Sequence, residues 1–306
     1  MQFPKLEFEV LVSRLRHPDG KIHMVLDTDT YNEVDDQFAL AYALRSPEKM
    51  VVDAVYAAPF HNTRSTGPAD GMEKSYEEIL RILDFMKIPH DNFVYKGSRG
   101  YLKDAQTPQD SDAAMDLVRR AKSMKDNELL YIVAIGAITN VASAILLDPE
   151  IINKTVVVWL GGNALNCDDN HEFNLMQDIH ASRLIFDCGV PLIQIPCHGV
   201  TTHLHTTIPE LEYYLSGKSE LGTYLTDIVR SYAHDPYGWS KVIWDIATIA
   251  WLINPEWIPT RLVNSPVLTD QLTWSFDSRR HFIRSATFIN RDPVFADLFR
   301  KLTKQA

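Results

Sequence analysis

Cysteine is scarce: the chain of 306 residues carries three, Cys167, Cys188 and Cys197. An odd number at wide spacing fits neither a disulfide framework nor a zinc site, and it points to a reducing compartment where thiols pack as small hydrophobes. No stretch approaches the ~18 uninterrupted apolar residues of a membrane span. The N-terminus alternates charged with apolar residues and lacks the apolar core of a signal peptide. Positive charge is also in deficit, with 30 Lys and Arg against 40 Asp and Glu, a formal net charge of −10. Without a basic field, polymeric nucleic acid and anionic membrane are disfavoured as partners. No internal repeat, low-complexity stretch or linker-like run interrupts the chain. The expectation is a soluble, cytoplasmic protein with one domain spanning 1–306, and its excess acid has to be located before it carries meaning.

What is present is alternation. Short β-rich runs at 23–28, 50–58, 92–95, 128–135, 155–160 and 191–197 are separated by helical patterns at 35–44, 73–86, 111–124, 139–147 and 178–188. Strands divided by helices of ten to fifteen residues require right-handed crossovers, hence an α/β fold with an open, mainly parallel, Rossmann-like sheet flanked by helices. The core should occupy about 20–200. From about 201 to 306 the rhythm changes to helices at 209–217, 221–234, 241–253 and 292–304. A β-hairpin is expected between 272–276 and 281–289.

The most informative segment is Asp27-Thr-Asp29-Thr-Tyr-Asn-Glu33-Val-Asp35-Asp36, with five carboxylates in ten residues at the end of the first strand. Open α/β sheets bind ligands outside the carboxyl ends of their strands. Asp27 and Asp29, two apart, project to one face of a strand. Asp35 and Asp36 fall in a helix first turn, where the dipole supplies only about 0.3–1 kcal/mol per group. That is small beside the repulsion of several carboxylates held together, so a bound cation or raised pKa values must balance them. Oxygen ligands suit Ca²⁺ or Mg²⁺ rather than zinc. An EF-hand is excluded because its glycine position holds Asn32 and its closing glutamate position holds Phe38.

Two enzyme families open with such a strand. Asp27-x-Asp29-x-Thr would match haloacid-dehalogenase-type phosphatases, with Asp27 as nucleophile and Mg²⁺ as cofactor, but their remaining motifs are not evident. The segment also resembles the Asp-x-Asp-Pro-Gly-x-Asp-Asp signature of calcium-dependent nucleoside hydrolases, and here further segments match in order. VAIGAITNVASAILLDPE (133–150) is similar to that family's Gly-x-Leu-Thr-Asn turn. WLGGNALN (159–166) with HEFNLMQD (171–178) resembles its Gly-Gly … Asn … Glu-Phe-Asn segment, and Trp244-Asp245 falls where a late metal-binding aspartate stands. The resemblance covers roughly 20–255.

The resemblance implies a homodimeric or homotetrameric N-ribohydrolase with Ca²⁺ held by Asp29, Asp36, the Ile135 carbonyl and Asp245. It makes Asp29 the general base for a metal-bound water and Asp27 a supporting carboxylate. Asp35, Asn62, Asn166, Glu172 and Asn174 would hold the nucleoside's ribose. Three departures stand out. The Asp29–Asp35 spacing is six rather than four, Leu160 replaces a methionine, and Trp244 replaces the histidine that serves as leaving-group acid in members of broad specificity. A tryptophan there resembles the purine-preferring subgroup, in which aromatic rings sandwich the base. Tyr76 and Tyr237 are candidates for the second ring. A relative that binds nucleosides or sugars without turnover is the non-enzymatic alternative. His171 and His234 are candidate proton donors, whereas His198, His203 and His205 read as structural. Trp244 could also share the buried face of Trp251.

Overall fold

The computed structural model describes residues 2–303, with α1 at Phe8–Arg14, β1 at Ile22–Thr28, α2 at Asp36–Leu44, β2 at Met50–Ala57, α3 at Pro68–Met86 and β3 at Val94–Lys96. There follow α4 at Asp112–Ser123, β4 at Leu130–Ala134, α5 at Thr139–Leu147, β5 at Thr155–Leu160, α6 at Phe173–Gln177, α7 at Ile179–Asp187 and β6 at Leu192–Ile195. The last third holds β7 at His205–Thr206, α8 at Ile208–Tyr214, α9 at Glu220–Tyr232, β8 at Lys241–Val242 and α10 at Ile246–Ile253. It ends with β9 at Thr260–Asn264, β10 at Val267–Leu268, β11 at Trp274–Ser275, β12 at Phe282–Ala286 and α11 at Arg291–Thr303. Lys304, the last residue expected in the closing helix, lies outside the described residues.

Eight strands form one sheet in the order β3-β2-β1-β4-β5-β6-β12-β9, parallel throughout except for the antiparallel β12–β9 pair at one edge. The period of two sorts side chains to the two faces. Met24 and Leu26 of β1, with Val156 and Val158 of β5, join the core formed with α2, α3, α10 and α11. Val25, Val157 and Trp159 join the core formed with α4, α5 and α7 on the opposite face. Both faces are covered, which is why these strands read as continuous apolar runs.

The chain leaves β1 toward β2 on one side and returns to place β4 on the other. The strand order therefore reverses between β1 and β4, and the crevice at their carboxyl ends is where doubly wound sheets bind ligands. Asp29 follows β1 and Ile135 follows β4 at this point.

The hairpin expected from 272–276 and 281–289 does not form. β11 pairs with β10, whereas β12 runs parallel to β6 and antiparallel to β9. β12 pairs with the open edge of β6 over two residues and with β9 over five. The β9 segment, TRLVN, is an edge strand with no fully buried residue, and its polar ends leave no clear strand pattern in the sequence. The 241–253 helix starts only at Ile246, since Lys241-Val242 pair with β7. Helix α3 begins five residues ahead of the expected Glu73, at Pro68, whose fixed φ suits a first turn. Among the described residues no helix is long and apolar enough to cross a membrane.

Helix α3 approaches the loop after β2 closely: a Cβ at Gly71 would sit 2.0 Å from the Phe60 carbonyl oxygen. Gly71→Ala should lower the unfolding free energy by about 1–3 kcal/mol, the usual cost of overpacking. A melting temperature equal to that of the parent protein would show that this approach does not constrain the fold.

Candidate active site

Where β1 ends, five buried carboxylates converge. Asp27, Asp29, Asp35, Asp36 and Asp245 are each at most 4% exposed. Carboxylate oxygens of Asp35, Asp36 and Asp245 all lie within 4.8 Å of one another. The loop from β1 supplies Asp29, the start of α2 supplies Asp35 and Asp36, and the turn entering α10 supplies Asp245. Gly136, just past β4, leaves room for them: a Cβ there would lie 3.0 Å from Asp29 Cγ.

Hydrogen bonding satisfies this cluster unevenly. Thr28 Oγ1 donates to Asp36 Oδ1 at 2.6 Å and Asn140 Nδ2 donates to Asp27 Oδ1 at 2.8 Å. The Trp244 backbone N–H donates to Asp35 Oδ2 at 3.0 Å. Both oxygens of Asp29 are buried with no hydrogen-bond partner among the described residues. A buried carboxylate left without donors costs several kcal/mol unless it is protonated or bound to a cation. Burial, with Asp36, Asp35 and Asp27 nearby, pushes the Asp29 carboxyl well above the usual range. Burial and the neighbouring Asp35 raise Asp36 to about 8, and burial raises Asp27 to about 7 against the opposing Asn140 bond. Burial, then Asp35, Asp36 and Asp29, raises Asp245, which shares a hydrogen bond with Asp35. The donor set consists only of oxygens, which fits a hard divalent cation.

One ammonium offsets part of this charge. Lys241 Nζ pairs with Glu33 and lies 3.7 Å from Asp35 Oδ1, its side chain 7% exposed. Burial alone would pull its pKa down, but Asp35 and Glu33 outweigh burial and raise it. Glu33 stands in the lengthened Asp29–Asp35 loop, so that loop adds a further carboxylate, which Lys241 pairs.

A cavity of about 260 Å³ opens above the cluster. Asp35, Asp36, Asp245, Ile135, Glu172, Asn174 and Trp244 line it. Asp27 and Asp29 lie beneath, fully buried, so Asp27 is not presented as a nucleophile. Asn174 Nδ2 donates to the Ile135 carbonyl at 3.2 Å and to the Leu160 carbonyl at 3.0 Å, tying α6 to the ends of β4 and β5. Glu172 accepts backbone N–H groups from Gly162, Asn174 and Leu175, so it caps α6 while facing the cavity. Asn62 is one residue removed, donating to Asn32 Oδ1 at 2.7 Å, and Asn32 lines the cavity. Asn166 is exposed on the 163–170 loop and does not line it.

Several expectations are corrected on the opposite wall. Tyr237 is 95% exposed and Tyr76 packs under Lys96, and neither lines the cavity; Phe173 and Met176 do. His171 lines the cavity and His234 does not. His198, read from sequence as structural, also lines it, its ring edge-on to Trp244 at 5.6 Å and 75°. His203 packs on Phe288 and His205 bonds Ser240, away from the site. Trp244 is half-buried at the cavity wall, unlike the core residue Trp251 at 1% exposure. The pairing of Lys241 with Glu33 left no signal in sequence, because neither residue belongs to a recognisable spacing.

Known proteins resemble this chain along most of its length. The family model described as inosine-uridine preferring nucleoside hydrolase matches residues 24–294. A probable uridine nucleosidase 2 from Arabidopsis thaliana is 28% identical over 232 residues, covering 68% of this chain and 69% of the relative. The pyrimidine-specific ribonucleoside hydrolase RihA of Salmonella typhimurium is 26% identical over 262 residues, covering 76% of this chain and 80% of its own. Among solved structures, a purine-preferring ribonucleoside hydrolase from Gardnerella vaginalis superposes with a TM-score of 0.76 at 20% identity. That match covers 92% of this chain and 98% of the other, and it shows a shared fold.

Two outcomes follow from the charge balance. A carboxyl whose folded pKa exceeds its unfolded value holds its proton more tightly when folded. In the metal-free protein the contribution of these groups to stability is therefore fully present below the ordinary carboxylate range, and it is lost as pH rises through the values of about 7 and about 8 at Asp27 and Asp36. Ca²⁺ or Mg²⁺ should raise the melting temperature more at about pH 8 than at about pH 5; equal shifts would contradict this. Lys241→Met should cost about 3 kcal/mol by stranding Asp35 and Glu33, at the low end for a buried pair because Glu33 is partly exposed. Adding Glu33→Gln should recover part of that loss in urea melts, and strict additivity would show that the pair is not coupled.

Proposed function

Since the chain belongs to the inosine-uridine preferring nucleoside hydrolase family, whose members cleave N-glycosyl bonds, we propose that it hydrolyses purine ribonucleosides to free base and ribose. The carrying observation is the convergence of Asp35, Asp36 and Asp245 above the unpartnered Asp29 in the crevice between β1 and β4. Asp29, Asp36, the Ile135 carbonyl and Asp245 are the groups that would hold Ca²⁺, with Asp35 adjoining them. When bound, the cation supplies Lewis acidity, lowering the pKa of a nearby water and fixing sugar hydroxyls.

Within this reading each residue has a definable task. Asp29 accepts the proton of the attacking water, a role suited to a carboxylate whose basicity burial has raised. Asp27, held by Asn140, steadies Asp29 from below by keeping the pocket's negative potential in place. Asp35, Glu172 and Asn174, with Asn62 acting through Asn32, orient the ribose at near-attack geometry. As the glycosidic bond lengthens, positive charge grows on the sugar, and the surrounding carboxylates and carbonyl dipoles stabilise it. Trp244 stacks on the base, an interaction worth about 1–3 kcal/mol in nucleic-acid binders. Phe173, which also lines the cavity, is a candidate for the second ring.

The set-aside phosphatase reading predicts Mg²⁺-dependent phosphate release from phosphomonoesters through Asp27. The same family reading carries a cytoplasmic homodimer or homotetramer, measurable by fractionation and light scattering.

A reducing-sugar assay across a nucleoside panel, with and without chelator, tests the proposal. Ribose release from inosine and guanosine that chelator abolishes is expected, and Asp29→Ala should lower kcat by ~10²–10⁴. Calorimetric binding of nucleosides without ribose release would instead mark a relative that has lost turnover. Pyrimidine nucleosides cleaved as fast as purines would remove the role given to Trp244.

A further inference from the structure

The purine reading leaves the departing base without an assigned proton source, because Trp244 stands where broad-specificity relatives carry histidine. The cavity itself narrows the candidates. Its ribose side is lined by carboxylates, and Glu172 spends both oxygens accepting backbone N–H groups. Two imidazoles also line the cavity, those of His171 and His198. His171 is 61% exposed and faces Asp169 at 3.7 Å. His198 follows β6 at the carboxyl edge of the sheet, and its backbone is pinned at both ends. Its N–H donates to Asn163 Oδ1 at 3.3 Å and its carbonyl accepts from Ala164 N at 2.9 Å. Its ring lies edge-on against Trp244, and its ring nitrogens make no hydrogen bond among the described residues. The side chain is exposed enough to exchange protons with solvent.

We infer that His198 is the general acid that protonates the departing purine, placed by the ring of Trp244 rather than standing in its position. The inference rests on the nucleoside-hydrolase reading and on Trp244 stacking the base. In the step, the bond between ribose C1′ and purine N9 breaks and its electron pair stays with the purine. His198 gives its ring N–H proton to N7, while the water oxygen bonds to C1′ and its proton passes to Asp29. Asp29 then releases that proton and His198 takes one from solvent. One water is consumed, and neutral base and ribose are formed.

The experiment compares inosine with para-nitrophenyl riboside, whose nitrophenolate leaves without a proton. His198→Gln and His198→Phe should lower kcat on inosine by ~10²-fold or more, the range for a lost general acid, and leave riboside turnover within about threefold. The riboside rate doubles as the check that each variant is folded with its carboxylate half intact. His198→Phe keeps a ring against Trp244, so inosine activity retained by that variant would show packing alone and overturn the inference. Equal losses on both substrates, no loss on either, or the leaving-group split appearing only in His171→Gln would overturn it as well. If the unaltered protein releases ribose from neither substrate, the underlying reading fails and this inference with it.

Discussion

Like charges held together out of water are the constraint on which the rest of this molecule depends. Five aspartates sit in one buried volume, where their mutual repulsion is far less screened than in solvent. The fold supplies partial remedies: the Thr28 hydroxyl on Asp36, the Asn140 amide on Asp27, the Trp244 N–H on Asp35 and the Lys241 ammonium near Asp35. None of them reaches Asp29. What remains is a negative well with oxygen lining, which either retains protons or takes a hard cation.

The position of that well follows from topology. Because β1 and β4 are neighbours whose chains depart in opposite directions, their carboxyl ends part and leave a crevice. The cavity's carboxylates come from the start of α2, the start of α6 and the turn into α10, and the segments after β6 and before α10 bring His198 and Trp244 to it. The two halves meet at Trp244-Asp245, where one residue faces the aromatic wall and the next the carboxylates. This adjacency explains why α10 starts late. The Trp244 N–H bonds Asp35, so the turn is shaped by the site rather than by helix propensity.

The parallel core was legible because its strands are buried on both faces and helices α3, α4 and α7 are amphipathic, so periodicity carried much of the pattern. The acidic cluster was legible because its members are local, packed into ten residues. Long-range pairings were not. Glu33 and Lys241 lie 208 residues apart and match no spacing. β12 carried a clear strand pattern, but the pattern did not say that the vacant edge of β6 would outcompete β11. His198 read as one of three neighbouring structural histidines until the turn after β6 brought it against Trp244. Asn166 matched a motif by order, yet it lies exposed on its loop, since order along a chain does not determine which side of a loop faces a cavity.

The most direct test of the charge account is calorimetric titration of the chelator-stripped protein with Ca²⁺ in buffers of different ionisation enthalpy. The account predicts about one cation per chain at about pH 7, with at least about one proton expelled as the buried carboxyls ionise to receive it. Binding with no proton release, or no binding at all, would contradict the claim that this cluster is a protonated cation site.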